Sequence, residues 1–176
     1  MRMNDIIRAM KERRSIRKFR PDMPSKEDID SIIEAGLYAP SGMNRQSAIV
    51  IAVTDKKKRD ELAKDNCRVV GWPDGTDPFY GAPVILIVLA DADASTAVYD
   101  GSLMMGNMLL AAHSLGLGSI WIHRAKEEFE TPKYRNLLKE LGIGGRWIGI
   151  GHCAVGYADC ELPDPPKRKD GRVYNI

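Results

Sequence analysis

The chain has 176 residues, of which 44% are hydrophobic and 28% charged, with a net charge of +2. That length suits one domain with a packed core, and the composition excludes a disordered or fibrous chain. No apolar run approaches the ~18 residues needed to cross a bilayer, which excludes a helical membrane protein.

The spacing predicts a first helix over 3–13, with Met3, Ile6, Ile7 and Met10 on one stripe. Its segment MRMNDIIRAMKERR alternates charged and apolar residues and lacks a small-residue cleavage site, so it does not read as a secretory signal. Pro21 and Pro24 bracket a connection. Ser25, with Asp28 three residues on, opens a second helix whose stripe is Ile29, Ile32, Ile33 and Leu37. Ala39-Pro40-Ser41-Gly42 stops it and begins a polar loop. Residues 48–54 read as a buried strand, and Asp55 caps a lysine-rich helix reaching about Asp65. Turn residues fill 71–83, and 84–90 form a central strand. The helix at 97–115 is apolar nearly all round, the pattern of one buried by its own core or by a partner. A short strand follows at 119–122. Thr131 and Pro132 open a helix that ends at Gly142, and 146–155 form a fourth strand. Helices and strands alternate irregularly, which predicts the α+β class.

Residues 1–156 then form the core. Residues 157–176 are Pro-rich, with one possible strand at 172–176. They hold too little apolar matter to bury themselves, so they read as an arm wrapped around a second subunit. Cys67, Cys153 and Cys160 form no CxxC and no zinc spacing. They read as buried small hydrophobes in a reducing compartment, the cytoplasm. His152 and Cys153 are neighbours in a strand and should point to opposite faces.

Charge is unevenly spread. Residues 1–20 are strongly basic, the tail is slightly basic, and the body between them is acidic. Two basic ends fit nucleic acid or a small anion gripped by both termini. Phe19 is the first aromatic residue and the next is Tyr38, so the aromatic interleaving of a nucleic-acid binder is missing.

Three clusters could carry chemistry. Arg13-Arg14-Ser15-Ile16-Arg17-Lys18-Phe19 packs guanidinium forks closely, and such forks match phosphate oxygens bidentately. An ordinary basic helix end would explain some of these residues but not their density. In Ala39-Pro40-Ser41-Gly42-Met43-Asn44-Arg45-Gln46, a helix-ending turn accounts for Pro, Ser and Gly. The amides of Asn44 and Gln46 can match the edge of a heterocycle. Leu115-Gly116-Leu117-Gly118 followed by Ser119-Ile120-Trp121-Ile122 is explained by a Gly-terminated helix and a strand. Gly149-Ile150-Gly151-His152-Cys153-Ala154 spells GxGxxA, but it lies in a strand and opens no helix, so it is no dinucleotide motif. His113, His123 and His152 have no metal-ligand spacing.

In order, these clusters resemble the nitroreductase family of flavoproteins. The resemblance also takes in Ala82-Pro83 before a strand, Gly106-Asn107-Met108-Leu109-Leu110-Ala111-Ala112, and Gly156-Tyr157 ahead of a basic tail holding Arg168-Lys169. It implies a mixed central sheet flanked by helices, dimerised through a long central helix, with FMN in a cleft built by both subunits. Arg13 and Arg14, with Arg168 and Lys169, would grip the phosphate. Ser15 would bind the ribityl or pyrimidine part, and Arg17 would face the N1/O2 edge as the catalytically important charge. Pro40, Ser41, Gly42, Met43 and Asn44 would line the ring from the other subunit. Trp121, Ile122 and His123 would pass their backbone by N5, and Asn66 would reach the pyrimidine edge. Where many members follow the Asn-x-Gln with Pro-Trp, this chain has Ser47-Ala48. Its short 71–81 loop implies a more open flavin.

The implied activity is a ping-pong transfer. NADH or NADPH would reduce the flavin at N5, and a nitroaromatic or quinone-type acceptor would then take the electrons. The cofactor supplies the chemistry and the protein positions and tunes it. The same fold admits a reductive dehalogenase, a flavin-modifying enzyme, or a non-catalytic FMN-binding module. No metal and no nucleic-acid partner is expected.

Overall fold

β2 (Val84–Asp91) is buried along its whole length up to Ala90. Such a run needs strands on both edges and cover on both faces. The computed structural model describes residues 3–176 and supplies both; Met1, and Arg2 of the basic N-terminal segment, lie outside the described residues. β1 (Ala48–Val53) and β4 (Trp147–Gly156) flank β2, and β3 (Gly118–Ile122) completes the order β1-β2-β4-β3. Every strand pair is antiparallel. The parallel component expected of a mixed sheet is confined to an isolated bridge between Ser15 and Ser119.

Alternation along β2 sends Val84, Leu86 and Val88 to one face and Ile85, Ile87 and Leu89 to the other. The first face is covered by α2 (Lys26–Leu37) and α4 (Ala97–Ser114) through Ile29, Ile32, Met105 and Met108. The second is covered by α3 (Lys56–Val70), α5 (Ala125–Phe129) and α6 (Pro132–Glu140) through Leu62, Phe129 and Leu138. Each such side chain, fully buried, contributes roughly 1.5–3 kcal/mol. His152 faces the second layer, with Phe79 5.4 Å away, while Cys153 faces the first.

The caps follow the sequence. Ser25 Oγ accepts the Asp28 N–H at 3.0 Å and Asp55 Oδ1 accepts the Lys58 N–H at 2.9 Å. α1 (Asp5–Glu12) starts two residues later than predicted, because Asn4 Oδ1 accepts the Ile7 N–H. α3 continues past Asp65 to Val70, since nothing before Gly71 stops it. α5 was not foreseen, because five residues cannot show a helical period. Thr131 precedes α6 but does not cap it; its Oγ1 donates to the Glu128 carbonyl instead.

Several expectations fail for lack of cover. The stripe of α1 is exposed, with Ile6 63% and Met10 59% accessible. β1 is an edge strand and mostly half-buried. Residues 172–176 form no strand, and the tail beyond Asp159 is exposed. Cys160 is exposed, unlike Cys67 and Cys153, because it stands in that tail.

Candidate functional site

The segment after α1 is held along the free edge of β3. Ile16 N–H donates to the Ser119 carbonyl at 3.1 Å, and Ile16 and Phe19 are buried in the sheet's second layer. Residues 18–20 are tied to the start of the tail. Arg20 N–H donates to Tyr157, Asp159 N–H donates to Lys18, and Lys18 Nζ pairs with Asp159 at 2.8 Å. Pinning both sides leaves Arg13, Arg14 and Ser15 half-buried in one corner, and Arg17 exposed.

That corner has donors without acceptors. Arg14 Nη1 donates to the carbonyls of Lys11 and Arg13, both at 2.7 Å. Arg14 Nε and Arg13 Nη1 are buried and meet no acceptor among the described residues. Burial first, and the Arg14 charge second, pull the Arg13 guanidinium below the ordinary arginine value. Buried donors of this kind are costly unless an acceptor arrives. An anion answers both, so the corner fits a phosphate. A cavity of 390 Å³ opens beside it, lined by the basic Arg8, Lys11 and Arg14, the acidic Glu12 and Asp164, and Leu162. The tail therefore reaches the corner through 162–165. Arg168 and Lys169 lie farther along, exposed and free of ion pairs among the described residues.

The loop predicted to line a ring hangs on the first turn of α4. Asp100, 4% exposed, accepts from Gly42 N–H at 3.0 Å, Ser47 Oγ at 2.7 Å and Thr96 Oγ1 at 2.9 Å. Burial raises the Asp100 pKa, but these hydrogen bonds outweigh it and hold the carboxyl below its usual range. Gly42 carries no side chain because a Cβ there would run into Thr96. Met43, Asn44 and Gln46 adopt φ of 53°, 54° and 50°, left-handed values at three residues that are not glycine, with Arg45 between them right-handed. Such strain costs of order 1–3 kcal/mol per residue and is retained where it aims side chains; Met43, Asn44 and Pro40 are exposed, while Ser41 Oγ accepts the Gln46 N–H. Asp100 was missed in the sequence, although an acid in the first turn of an apolar helix was its signal.

The third group lies at the other end of β3 from Ser15. Trp121 and His123 stack with ring centroids 5.8 Å apart. They line a 690 Å³ cavity with Arg124, Lys126, Ile148 and Ile150. Trp121 Nε1 is buried there without an acceptor among the described residues. Asn66 is 1% exposed, and its Nδ2 donates to the His123 carbonyl at 2.9 Å and to Glu128 Oε1 at 2.8 Å. Its amide nitrogen is thus committed to the protein, not free for a ring edge.

One chain therefore brings Arg13, Arg14, Ser15 and Trp121–His123 onto a single edge. The 40–44 loop stands apart from the arginine corner. It is tied to Asp100, whereas Ser119 Oγ is tied to the Leu109 carbonyl, about 13 Å farther along α4 at ~1.5 Å per residue.

Known proteins resemble this chain in fold and in sequence. A nitroreductase of Bacteroides fragilis, solved with bound FMN, superposes with a TM-score of 0.89 at 29% identity, covering 99% of this chain and 100% of that one. The FMN reductase [NAD(P)H] of Bacillus subtilis is 29% identical over 171 residues, 81% of this chain and 66% of the relative. The iodotyrosine deiodinase of Thermotoga neapolitana is 26% identical over 191 residues, 98% of this chain and 99% of the relative. The model of the nitroreductase family matches residues 10–68 and 75–157, leaving out 69–74 and the tail. With that match spanning most of its length, the chain belongs to the nitroreductase family.

Proposed function

We propose that the chain is an FMN-dependent oxidoreductase that carries electrons from NADH or NADPH to an electron-poor acceptor of the nitroaromatic or quinone type by a ping-pong cycle. The observation that carries it is the pair of buried, unanswered guanidinium atoms, Arg13 Nη1 and Arg14 Nε, on the edge that also presents Trp121–His123. When bound, FMN supplies the hydride and electron chemistry.

The chain's own residues bind and orient. Arg13, Arg14 and Ser15 hold the phosphate end, with Arg168 and Lys169 closing over it from the 157–176 arm. Arg17 places a positive charge at the pyrimidine edge. The 121–123 backbone borders the ring. Asn66 holds that backbone from behind rather than touching the ring with its amide nitrogen. Pro40, Ser41, Gly42, Met43 and Asn44 come from the second subunit of a homodimer. Two features support that dimer: the separation of the 40–44 loop from the arginine corner, and the apolar side chains left exposed on α4 (Val98, Tyr99, Leu103) and α1. No helix among the described residues is long and apolar enough to cross a membrane, and free cysteines fit the cytoplasm.

The full-length match to a deiodinase favours one second reading, reductive removal of halide from a halogenated phenol. The test starts with the purified protein, which should be yellow with a flavin spectrum. Anaerobic NADH or NADPH should bleach it, and a panel of nitroaromatics, quinones and halophenols should be scored for restoring the colour. Protein without flavin sinks the proposal. Flavin that nicotinamides cannot bleach makes it a passive FMN binder, and recovery with halophenols alone favours the second reading.

A further inference from the structure

Two buried side chains behind the β3–α5 turn have no part in the roles above. Glu128 and His152 are both inaccessible to solvent. Glu128 Oε1 accepts from Asn66, whose Nδ2 also donates to the His123 carbonyl. Glu128 Oε2 lies 2.8 Å from His152 Nε2. The two atoms are close but not aligned as a hydrogen bond, and neither has another partner among the described residues. On its far side, His152 Nδ1 stands 3.4 Å from the Ile122 carbonyl. One carboxylate thus links two side chains that reach two successive carbonyls, Ile122 and His123. A buried carboxylate costs several kcal/mol before its partners offset it, and five residues of helix are built around this one.

The turn itself shows what the cluster holds. Arg124 follows with φ of 82°, a left-handed conformation unfavourable for a residue with a Cβ. A peptide is planar and trans, so its C=O and N–H point opposite ways. With the His123 carbonyl held inward by Asn66, the Arg124 N–H is turned away from the interior, on the side of the cavity lined by Trp121 and His123.

We propose that Glu128 and His152 are positioning residues, which lock Asn66 and through it the His123–Arg124 peptide, so that the Arg124 amide is offered to the flavin ring at a fixed angle. The assignment rests on the FMN-binding reading above. Neither side chain touches the ring; both act through Asn66 and the Ile122 and His123 carbonyls.

The experiment uses full-length protein with and without FMN. Glu128→Leu removes both acceptors at similar volume, and Glu128→Gln returns one to Asn66. Without flavin, backbone order parameters from ¹⁵N relaxation at His123–Ala125 should stand near the rigid value of ~0.85 in the wild type and fall toward ~0.6 in Glu128→Leu. Glu128→Gln should keep most of the order. With FMN, the dissociation constant of Glu128→Leu should rise roughly tenfold, the loss of about one hydrogen bond, and Glu128→Gln should recover most of it. If Glu128→Leu does not fold, His152→Gln reads the same lock, with a smaller loss of order at the same three residues. A variant that melts earlier yet keeps both the local order and the FMN affinity gives these residues a purely structural role and overturns the assignment. Wild-type protein that takes up no FMN overturns the function reading instead, and the order parameters still judge the lock.

Discussion

Arg17 stands two residues beyond Ser15, exposed beside an edge where its neighbours Arg13 and Arg14 are half-buried. The difference in burial separates their tasks. Arg13 and Arg14 present buried donors that want a permanent anion. Arg17 offers a solvated charge whose value rises if negative charge gathers on a reduced flavin. Interactions that strengthen along a reaction raise its rate, whereas uniform binding does not. Replacing Arg17 by Ala should therefore slow flavin reduction about ten- to a hundredfold, from ~1.5–3 kcal/mol of charge-assisted bonding. The midpoint potential should fall, with FMN retained. Arg17→Lys should recover part of the loss, because lysine lacks the planar fork. Stopped-flow reduction by NADH and a redox titration of the same proteins check it; loss of FMN with an unchanged potential for whatever remains would make Arg17 a binding residue.

The loop over 41–47 is an element held by one carboxylate. Its Ser, Gly and Asn, directly after Pro40, announced a turn, and the structure adds what the turn hangs from. Asp100 receives three hydrogen bonds that keep its pKa depressed despite burial. A depressed carboxylate contributes stability above its unfolded pKa and loses it as pH falls through the folded one. Asp100→Asn should therefore cost about 1–3 kcal/mol at pH 7, and the gap to the wild type should narrow below pH ~4. Denaturant unfolding at both pH values measures it; a gap that stays constant with pH would show that the charge contributes nothing. Elements were legible where local pattern decides them. The caps at Ser25 and Asp55, the buried run of β2 and the turn chemistry of 71–83 all stand in the sequence. What depends on neighbours was not legible: β1 has the letters of a buried strand, but sheet order puts it at an edge. α5 is too short to show a period, and the Asn66–Glu128–His152 cluster joins residues far apart in the chain. Of the candidate site, the arginine corner and the polar loop were readable as dense, unusual local clusters. Asn66 read as reaching a ring edge, but its amide nitrogen faces a carbonyl and a carboxylate that only folding supplies.

At the scale of the molecule, one chain presents an arginine corner and an exposed 40–44 loop that do not meet. Its apolar α1 stripe and the exposed face of α4 wait for cover. If two chains complete each site, defects in different halves should complement. Arg13→Ala and Asn44→Ala should each be inactive alone. After subunit exchange, hybrid dimers carry one intact site, so a mixture should regain about a quarter of wild-type activity. Exchange confirmed by mass, with no activity regained, would place each flavin within a single chain.

The three thiols of this chain live in unequal surroundings. Burial pushes Cys153 up to about 12 and raises Cys67 as well, while Cys160 stands in the open where the tail leaves the body. Thiolate is the reactive form, so a maleimide dye or nitroxide will find Cys160 and pass over the other two. The protein thus comes with its own attachment point, needing no engineered cysteine. It sits one residue past the Lys18–Asp159 pair, where the fixed part of the chain ends and the tail begins. A fluorophore or spin label there will report whether that tail swings freely or lies against a neighbour.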